Sequence, residues 1–348
     1  MPLETKLLGR QTIAFSNPPK ILGYGNAVGK KEYDGPLGAY FDYCSSDDTF
    51  EEDSWEKSES AMQTQALCQA MQRVSISPGQ IDFLFGGDLL NQCIATAYCI
   101  REQQIPFFGL YGACSTMAES LILAAMSIDG GFARRAVALT SSHFCSAERQ
   151  YRSPLAYGGQ RAPTVQWTAT GSGAVVLSST GSNCPYVTHA TVGKITDKGI
   201  TDAGNMGAAM APAAYHTLCA HFEDTGRKPE DYDLIVTGDL GALGKEIVLD
   251  FFSRDGVQLG ARYDDCGVML YDLGRQDVHA GASGCGCSAV VLTGFLLREM
   301  QLGKFEDILF CGTGALHSPV ATNQGESIPG ICHAVAISRK KGVTFGHD

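Results

Sequence analysis

The sequence predicts an α/β fold built from two similar halves, and two observations support this prediction. Glycine is abundant, with 41 residues, and recurs between short apolar runs, as expected where buried strands alternate with helices. Related segments also recur in the same order in both parts of the chain, which indicates a duplicated unit. The predicted strands are Ile81–Phe85, Ala136–Thr140, Gly173–Leu177, Leu234–Thr237 and Ile308–Cys311.

The internal repeat consists of two pairs of segments. Residues 78–89 (PGQIDFLFGGDL) align with residues 229–240 (PEDYDLIVTGDL) at an offset of 151. Further along, GACS at 112–115 and GCGC at 284–287 each open a helix-like stretch that leads into a strand, at an offset of 172. The second copy therefore carries about 21 extra residues, and the order of the elements argues for duplication rather than chance.

The repeat divides the chain into an N-terminal half, residues 1–185, and a C-terminal half, residues 186–348. We expect the two halves to pack as layers around shared central helices. One helix is predicted near residues 55–74, because apolar side chains repeat there with helical spacing. Acidic residues precede it, where they favour a helix start, and an acidic surface exposed to solvent is their simplest interpretation.

Composition limits the possible partners. Hydrophobic residues make up 44% of the 348 positions and charged residues only 18%, so much of the surface is expected to be covered in a homo-oligomer. The net charge of −11 excludes nucleic acid as an expected partner. The 13 cysteines are scattered and the segment MPLETKLLGR lacks an apolar signal region, so we expect a reducing compartment. No run is long and apolar enough to span a bilayer, so any membrane association is expected to be peripheral.

Cys114 is the strongest candidate for chemistry. Small residues surround it in the GACS turn, and a helical apolar pattern follows, so it is predicted to lie at a helix N-terminus. That position lowers the pKa of a thiol and directs backbone N–H groups toward an anion. The alternative is an ordinary buried structural cysteine.

Several motifs resemble the thiolase superfamily, which includes the ketoacyl synthases. They are the GACS turn, TGSGAVVL at 170–177, HAGASG at 279–284 and CGTGA at 311–315, together with the duplication. The resemblance implies a five-layered α-β-α-β-α fold, usually as a homodimer, with Cys114 in the place of the acyl-accepting nucleophile.

The same resemblance assigns two further catalytic candidates and shows that one expected histidine is missing. His279 stands near the position of a thiolase histidine, with one residue fewer before Gly281, and Cys311 resembles the second thiolase cysteine. Where synthases carry a histidine after a strand, this chain reads Thr237-Gly238-Asp239. Losing a general base costs about 10²–10⁴ in rate, so an incomplete catalytic set favours binding over turnover.

A narrower resemblance extends along the whole chain. The segments KLLGRQTIAFSNPPKILGYGNAVGKKE, DDTFEEDSWEKSES and HAGASGCGCSAV are similar to the stage V sporulation AD family. This resemblance implies binding of dipicolinic acid (pyridine-2,6-dicarboxylate) in the developing spore. It further implies other stage V sporulation A proteins as partners, and a place in the spore cytoplasm or on the face of the spore inner membrane.

Residues 141–167 offer donors for such a dianion, because arginines interleave with aromatic residues. An ordinary surface loop with salt bridges is the equally weighted alternative. No cofactor is expected, although calcium could enter as the dipicolinate chelate, with Asp88 or Asp239 as ligand or, more simply, as a helix cap. The predicted ligand-binding residues are Cys114, Ser115, His143, Arg152, Tyr157, Arg161, Asp239 and His279.

Three hypotheses follow. The favoured one is a binding module whose pocket beside Cys114 takes dipicolinate or its calcium chelate. The second is an acyl-transferring enzyme with Cys114 as nucleophile and His279 and Cys311 in proton transfer. The third is a structural scaffold with a blocked cavity.

Overall fold

Strands and helices alternate along residues 5–151 and 161–341, which the computed structural model describes. The strands are β1 (Leu7–Leu8), β2 (Thr12–Ala14), β3 (Lys20–Val28), β4 (Tyr43–Cys44), β5 (Phe83–Gly87), β6 (Phe107–Gly109), β7 (Arg135–Ser142), β8 (Trp167–Thr168), β9 (Gly171–Ser178), β10 (Tyr186–Thr191), β11 (Leu234–Thr237), β12 (Tyr263–Asp265), β13 (Ala282–Ser283), β14 (Asp307–Ala315) and β15 (Gly330–Ser338). The helices are α1 (Lys30–Tyr33), α2 (Trp55–Gln72), α3 (Ile94–Gln103), α4 (Thr116–Asp129), α5 (Phe144–Tyr151), α6 (Met206–Thr225), α7 (Gly241–Arg254), α8 (Cys266–Met269), α9 (Cys285–Val290), α10 (Leu297–Gln301) and α11 (Pro319–Thr322).

The strands of the main sheet lie in the order β12-β11-β14-β15-β10-β3-β9-β7-β5-β6, and its two ends have the same arrangement in reverse. At one end β5 lies between β6 and β7 in parallel, and β9 and β3 follow antiparallel. At the other end β11 lies between β12 and β14 in parallel, and β15 and β10 follow antiparallel. The pair Tyr186 with Lys20 joins β10 to β3 between the two parts, and β2 also pairs with β10.

Helices form three layers around this sheet. Helices α4 and α9 lie between its two parts, α2 and α3 cover the outer side of the first, and α6 and α7 cover the second. Every residue of α9 is buried. Its close approach to β9 requires glycine, because a Cβ at Gly173 would lie 2.6 Å from the carbonyl oxygen of Ala289. These layers confirm the predicted α-β-α-β-α architecture.

The repeat in the sequence coincides with structural elements. Strands β5 and β11 begin 151 residues apart, at Phe83 and Leu234, and β7 and β14 begin 172 apart, at Arg135 and Asp307. The helix predicted near 55–74 is α2, and the side chain of Ser54 caps its first turn by accepting from the Lys57 N–H. The boundary between the halves at residue 185 stays a prediction.

Among the described residues, no helix combines the length and the apolar character that crossing a bilayer requires.

The packing of α2 on β3 yields a stability prediction. A Cβ at Gly25 would lie 2.5 Å from the carbonyl oxygen of Ala66 and 2.5 Å from the amide nitrogen of Ala70, both backbone atoms that cannot rotate away. We expect Gly25→Ala to lower the free energy of unfolding by about 2–3 kcal/mol in urea titrations. Gly79→Ala is the matched control, since a Cβ there meets no atom within 4 Å. Equal midpoints for the two variants would contradict this packing.

Candidate functional site

A cavity of about 270 Å³ opens beside Cys114. Its walls come from the turn before α4, from α5, from β8 and β13, and from the segment after β14. The lining is largely apolar, with a few polar side chains that converge on it. The described lining residues are Leu89, Tyr111, Ala113, Cys114, Ala147, Glu148, Tyr151, Thr168, Met206, Ser283, Ala315, Leu316, His317 and Ser318.

Cys114 lies where the sequence predicts it, at the entrance to a helix. It belongs to a one-turn 3₁₀ helix, Ala113–Ser115, that leads directly into α4. The positive end of the α4 dipole therefore points toward the cavity. The expected low pKa is not found, because burial, the largest cause, raises the pKa of the Cys114 thiol well above its ordinary value. The negative charge of Asp239 raises it further.

Asp239 holds the back of the cavity together. Its Oδ2 accepts from the Gly284 N–H at 2.9 Å, its Oδ1 accepts from the Thr313 hydroxyl at 2.7 Å, and the Cys114 thiol donates to the same carboxylate. The side chain is fully buried, and burial raises the pKa of its carboxyl to about 6. At neutral pH a carboxylate held by two other donors therefore faces the thiol, where synthases carry a histidine.

The two candidates for proton transfer do not reach the cavity. His279 lies in the turn before β13, with φ at 51°, and its Nε2 faces the carboxylate of Asp277 at 3.3 Å. Cys311 is fully buried and hydrogen-bonded to Cys332, within the core between β14, β15 and α6. Neither side chain lines the cavity, so the structure does not assemble the thiolase-like set.

Ser115 and His143 have structural contacts beside the site. The Ser115 hydroxyl donates to the carbonyl oxygen of Gly112 at 2.7 Å and stabilises the turn that carries Cys114. The His143 Nδ1 accepts from the Cys145 N–H at 3.1 Å, which leaves Nε2 to donate to the carbonyl oxygen of Asp48 at 2.7 Å. Burial lowers the pKa of His143, so its ring is neutral.

Arg161 lies one layer behind the cavity wall. Its guanidinium stacks over Trp167, 4.8 Å from the ring centroid, and its Nη2 is 3.9 Å from the Glu148 carboxylate. Glu148 lines the cavity and also accepts from the Thr168 hydroxyl at 3.1 Å. Two predicted ligand residues, Arg152 and Tyr157, lie outside the described residues.

The contacts of Asp88 match its alternative role, a helix cap, rather than a calcium ligand. Asp88 accepts from the Leu90 N–H and the Thr96 N–H, both at 2.8 Å, and from the Thr96 hydroxyl at 2.6 Å, at the start of α3. Across residues 5–151 and 161–341, no group of His, Cys, Asp and Glu is arranged to hold a metal ion.

Tyr111 and His317 in the cavity wall were not predicted from the sequence, whereas Tyr151 is one of the aromatic residues that interleave with arginines in residues 141–167. Tyr151 donates to the carbonyl oxygen of Leu89 at 2.6 Å and meets the Tyr111 hydroxyl at 3.1 Å, and the His317 ring lies 5.7 Å from the Tyr151 ring. One signal was available for His317, which follows the CGTGA segment by two residues, at the end of β14. Tyr111, three residues before Cys114, carried no comparable signal.

Comparison with known proteins agrees with this architecture. The sequence profile of stage V sporulation protein AD matches residues 9–338. The chain belongs to the stage V sporulation protein AD family. Stage V sporulation protein AD of Bacillus subtilis (strain 168) is 45% identical over 339 residues, covering 97% of this chain and 100% of that protein.

Solved structures agree with the fold of this family member. OleA of Xanthomonas campestris matches with a TM-score of 0.60 at 14% identity, covering 95% of this chain and all of that one. The 3-oxoacyl-(acyl-carrier-protein) synthase III of Aquifex aeolicus VF5 matches with a TM-score of 0.56 at 15% identity, over 92% of this chain and 99% of that one. The chain therefore has the thiolase fold.

The contact between Cys114 and Asp239 predicts how the thiol responds to mutation. Asp239→Asn removes a negative charge but keeps an acceptor for the Gly284 N–H, so the thiol ionises more readily. We expect the midpoint pH of Cys114 alkylation by iodoacetamide, followed by peptide mass spectrometry, to fall by about 1–2 units. Cys114→Ser identifies the labelled peptide. An unchanged profile in Asp239→Asn would mean that the carboxylate does not control the thiol.

Proposed function

We propose that this chain binds pyridine-2,6-dicarboxylate, alone or as its calcium chelate, in the cavity beside Cys114, and serves its uptake into the developing spore. Membership of the stage V sporulation protein AD family supports the sporulation context. The single observation that supports binding rather than turnover is the composition of the cavity wall, where the buried Cys114 faces the Asp239 carboxylate and neither His279 nor Cys311 is present.

The chemistry at Cys114 opposes acyl transfer. A cysteine nucleophile acts as a thiolate and needs a base or a lowered pKa. The thiol instead donates to the Asp239 carboxylate in a buried site that disfavours a second negative charge. Cys114 therefore serves as a small, neutral wall residue.

The cavity suits a ligand with one planar ring. Its volume of about 270 Å³ is just below the range of small-molecule pockets, roughly 300–1,000 Å³, as suits a ligand of one ring. Tyr111 and Tyr151 offer aromatic faces for stacking, while the N-terminal end of α4 and the His317 imidazole offer favourable contacts for a carboxylate.

Glu148 favours the calcium chelate over the free dianion. Its carboxylate lies in the cavity wall with a side chain only 4% exposed, and the Arg161 guanidinium is 3.9 Å away. A chelated calcium ion keeps open coordination positions and prefers oxygen ligands, including carboxylates. Glu148 can therefore contribute an oxygen to a bound chelate, whereas it offers a free dicarboxylate only another negative group.

Isothermal titration with pyridine-2,6-dicarboxylate, with and without calcium, tests the proposal. We expect the chelate to bind more tightly than the free dianion. In Glu148→Gln the affinity for the chelate should fall about tenfold, the size of one lost charge-assisted contact, while that for the free dianion should rise. Glu306→Gln, on a partly exposed surface acid at the start of β14, should change neither.

Two outcomes would replace the proposal. Absence of heat with either form of the ligand favours the scaffold hypothesis. A stoichiometric, turnover-competent acyl adduct on Cys114 after incubation with acetyl-CoA or a malonyl thioester, found by mass spectrometry, favours the enzyme.

We also propose that the chain works as a homodimer alongside other stage V sporulation A proteins. Strand β6 ends the sheet, and an edge strand presents backbone groups that pair readily with another chain. Phe108 on this strand is 52% exposed and stacks on Phe85 at 5.1 Å, so a second copy would cover an apolar edge.

Phe108→Lys tests this interface. A charge at the centre of a buried edge opposes association, so we expect the mass measured by multi-angle light scattering to fall from dimer to monomer. Phe132→Lys is the control, because Phe132 is 79% exposed on the turn after α4, away from β6. A wild-type monomer, or a dimer that persists in Phe108→Lys, would contradict the proposed interface.

A further inference from the structure

Two buried carboxyl groups below the cavity have no part in the site described above. Glu59 on α2 is 1% exposed and Asp88 after β5 is 0% exposed. The negative charge of each raises the pKa of the buried Cys285 thiol. Gln63 links them, because its Nε2 donates to the Thr96 hydroxyl at 2.8 Å and to the Ser141 hydroxyl at 2.6 Å. Two acids thus share one buried network of hydrogen bonds.

The negative charge of this network belongs to Asp88. Asp88 accepts two backbone N–H groups and one hydroxyl, a donor set that stabilises a carboxylate. Within the described part of the chain, the Glu59 carboxyl is hydrogen-bonded only to the hydroxyls of Ser141 and Ser146, at 2.8 and 2.7 Å.

Among the described residues, the groups that face Glu59 from neighbouring elements add no positive charge. Asp88 and Glu56 repel its ionised form, and Arg149 is paired with Glu56 at the surface. His143, at the start of α5, is neutral. Burial, the largest cause, raises the pKa of Glu59 to about 8.

The protonated carboxyl fits the geometry around Ser146. The Ser146 hydroxyl lies 3.1 Å from the carbonyl oxygen of His143, so it can donate there while it accepts the proton of Glu59. Ser141 continues to donate to the other carboxyl oxygen. Ser146 belongs to α5, and the same helix places Ala147, Glu148 and Tyr151 in the cavity wall.

We infer that Glu59 is a positioning residue for the cavity: with its carboxyl protonated, it ties α5 through Ser146 to the end of β7 and holds the Glu148 and Tyr151 side chains in place. Ionisation would put a second negative charge beside Asp88 and loosen α5. The ligand experiment below rests on the proposed function, and the exchange experiment does not.

Ligand affinity should depend on pH through Glu59. The protonated form dominates below about pH 8, so affinity for calcium dipicolinate should be constant near pH 7 and fall up to about tenfold by pH 9. Glu59→Gln keeps a neutral side chain, and its affinity should stay flat between pH 7 and pH 9. Glu246→Gln, at an exposed acid on α7, should retain the wild-type slope. A wild-type slope in Glu59→Gln would overturn the inference.

Hydrogen–deuterium exchange of peptides from α5 tests the same tether without ligand. At pH 9, after correction for intrinsic exchange rates, α5 should exchange faster in the wild type than in Glu59→Gln, and at pH 7 the two should agree. Should Glu59→Gln fail to fold, Ser146→Ala removes the tether and should raise α5 exchange at both pH values. Equal α5 exchange in all proteins overturns the inference, whereas absent ligand binding with the predicted exchange pattern overturns only the proposed function.

Discussion

The site depends on one buried carboxylate, that of Asp239. It accepts from Gly284 at the start of α9, from Thr313 on β14 and from Cys114 before α4, so it joins both central helices to the second part of the sheet. A buried charge is tolerated only where donors replace its water, and here three donors do so. The same contact fixes the position of Cys114 and keeps its thiol protonated. The Asp239 carboxylate therefore determines both the position of the cavity wall at Cys114 and the charge of its thiol.

Much of the fold could be predicted from the sequence, because duplication repeats the same apolar pattern in each half. The strand Leu234–Thr237 has the predicted bounds, and the strand predicted over Ala136–Thr140 is longer by one residue at its start and two at its end. The site was harder to predict. Motif resemblance placed Cys311 with Cys114, but in β14 the neighbouring Gly312 and Gly314 approach the Ser115 backbone while Cys311 packs in the core on the α6 side. Successive side chains of a strand point to opposite faces of the sheet, so Cys311 faces away from its two glycine neighbours. The spacing of these residues in the sequence does not show which face each one takes.

Tyr111 and His317 could not be inferred as wall residues, and neither could the contact of Tyr151 with them, because these side chains lie far apart in the sequence. Tyr111, Tyr151 and His317 meet only through the packing of the turn before α4, of α5 and of the segment after β14. Glu148 lies in an arginine-rich segment that suggested an anion site, yet it places a carboxylate in the wall. A carboxylate oxygen in the wall is the reason to expect a ligand that carries a calcium ion.

A crystal structure of the protein with calcium dipicolinate tests the central claim most directly. We expect one aromatic ring packed against the Tyr111 and Tyr151 side chains, the metal ion beside Glu148, and a Cys114 sulfur that forms no covalent bond to the ligand. A cavity that stays empty at saturating ligand, a ligand bound elsewhere, or a thioester at Cys114 would contradict it.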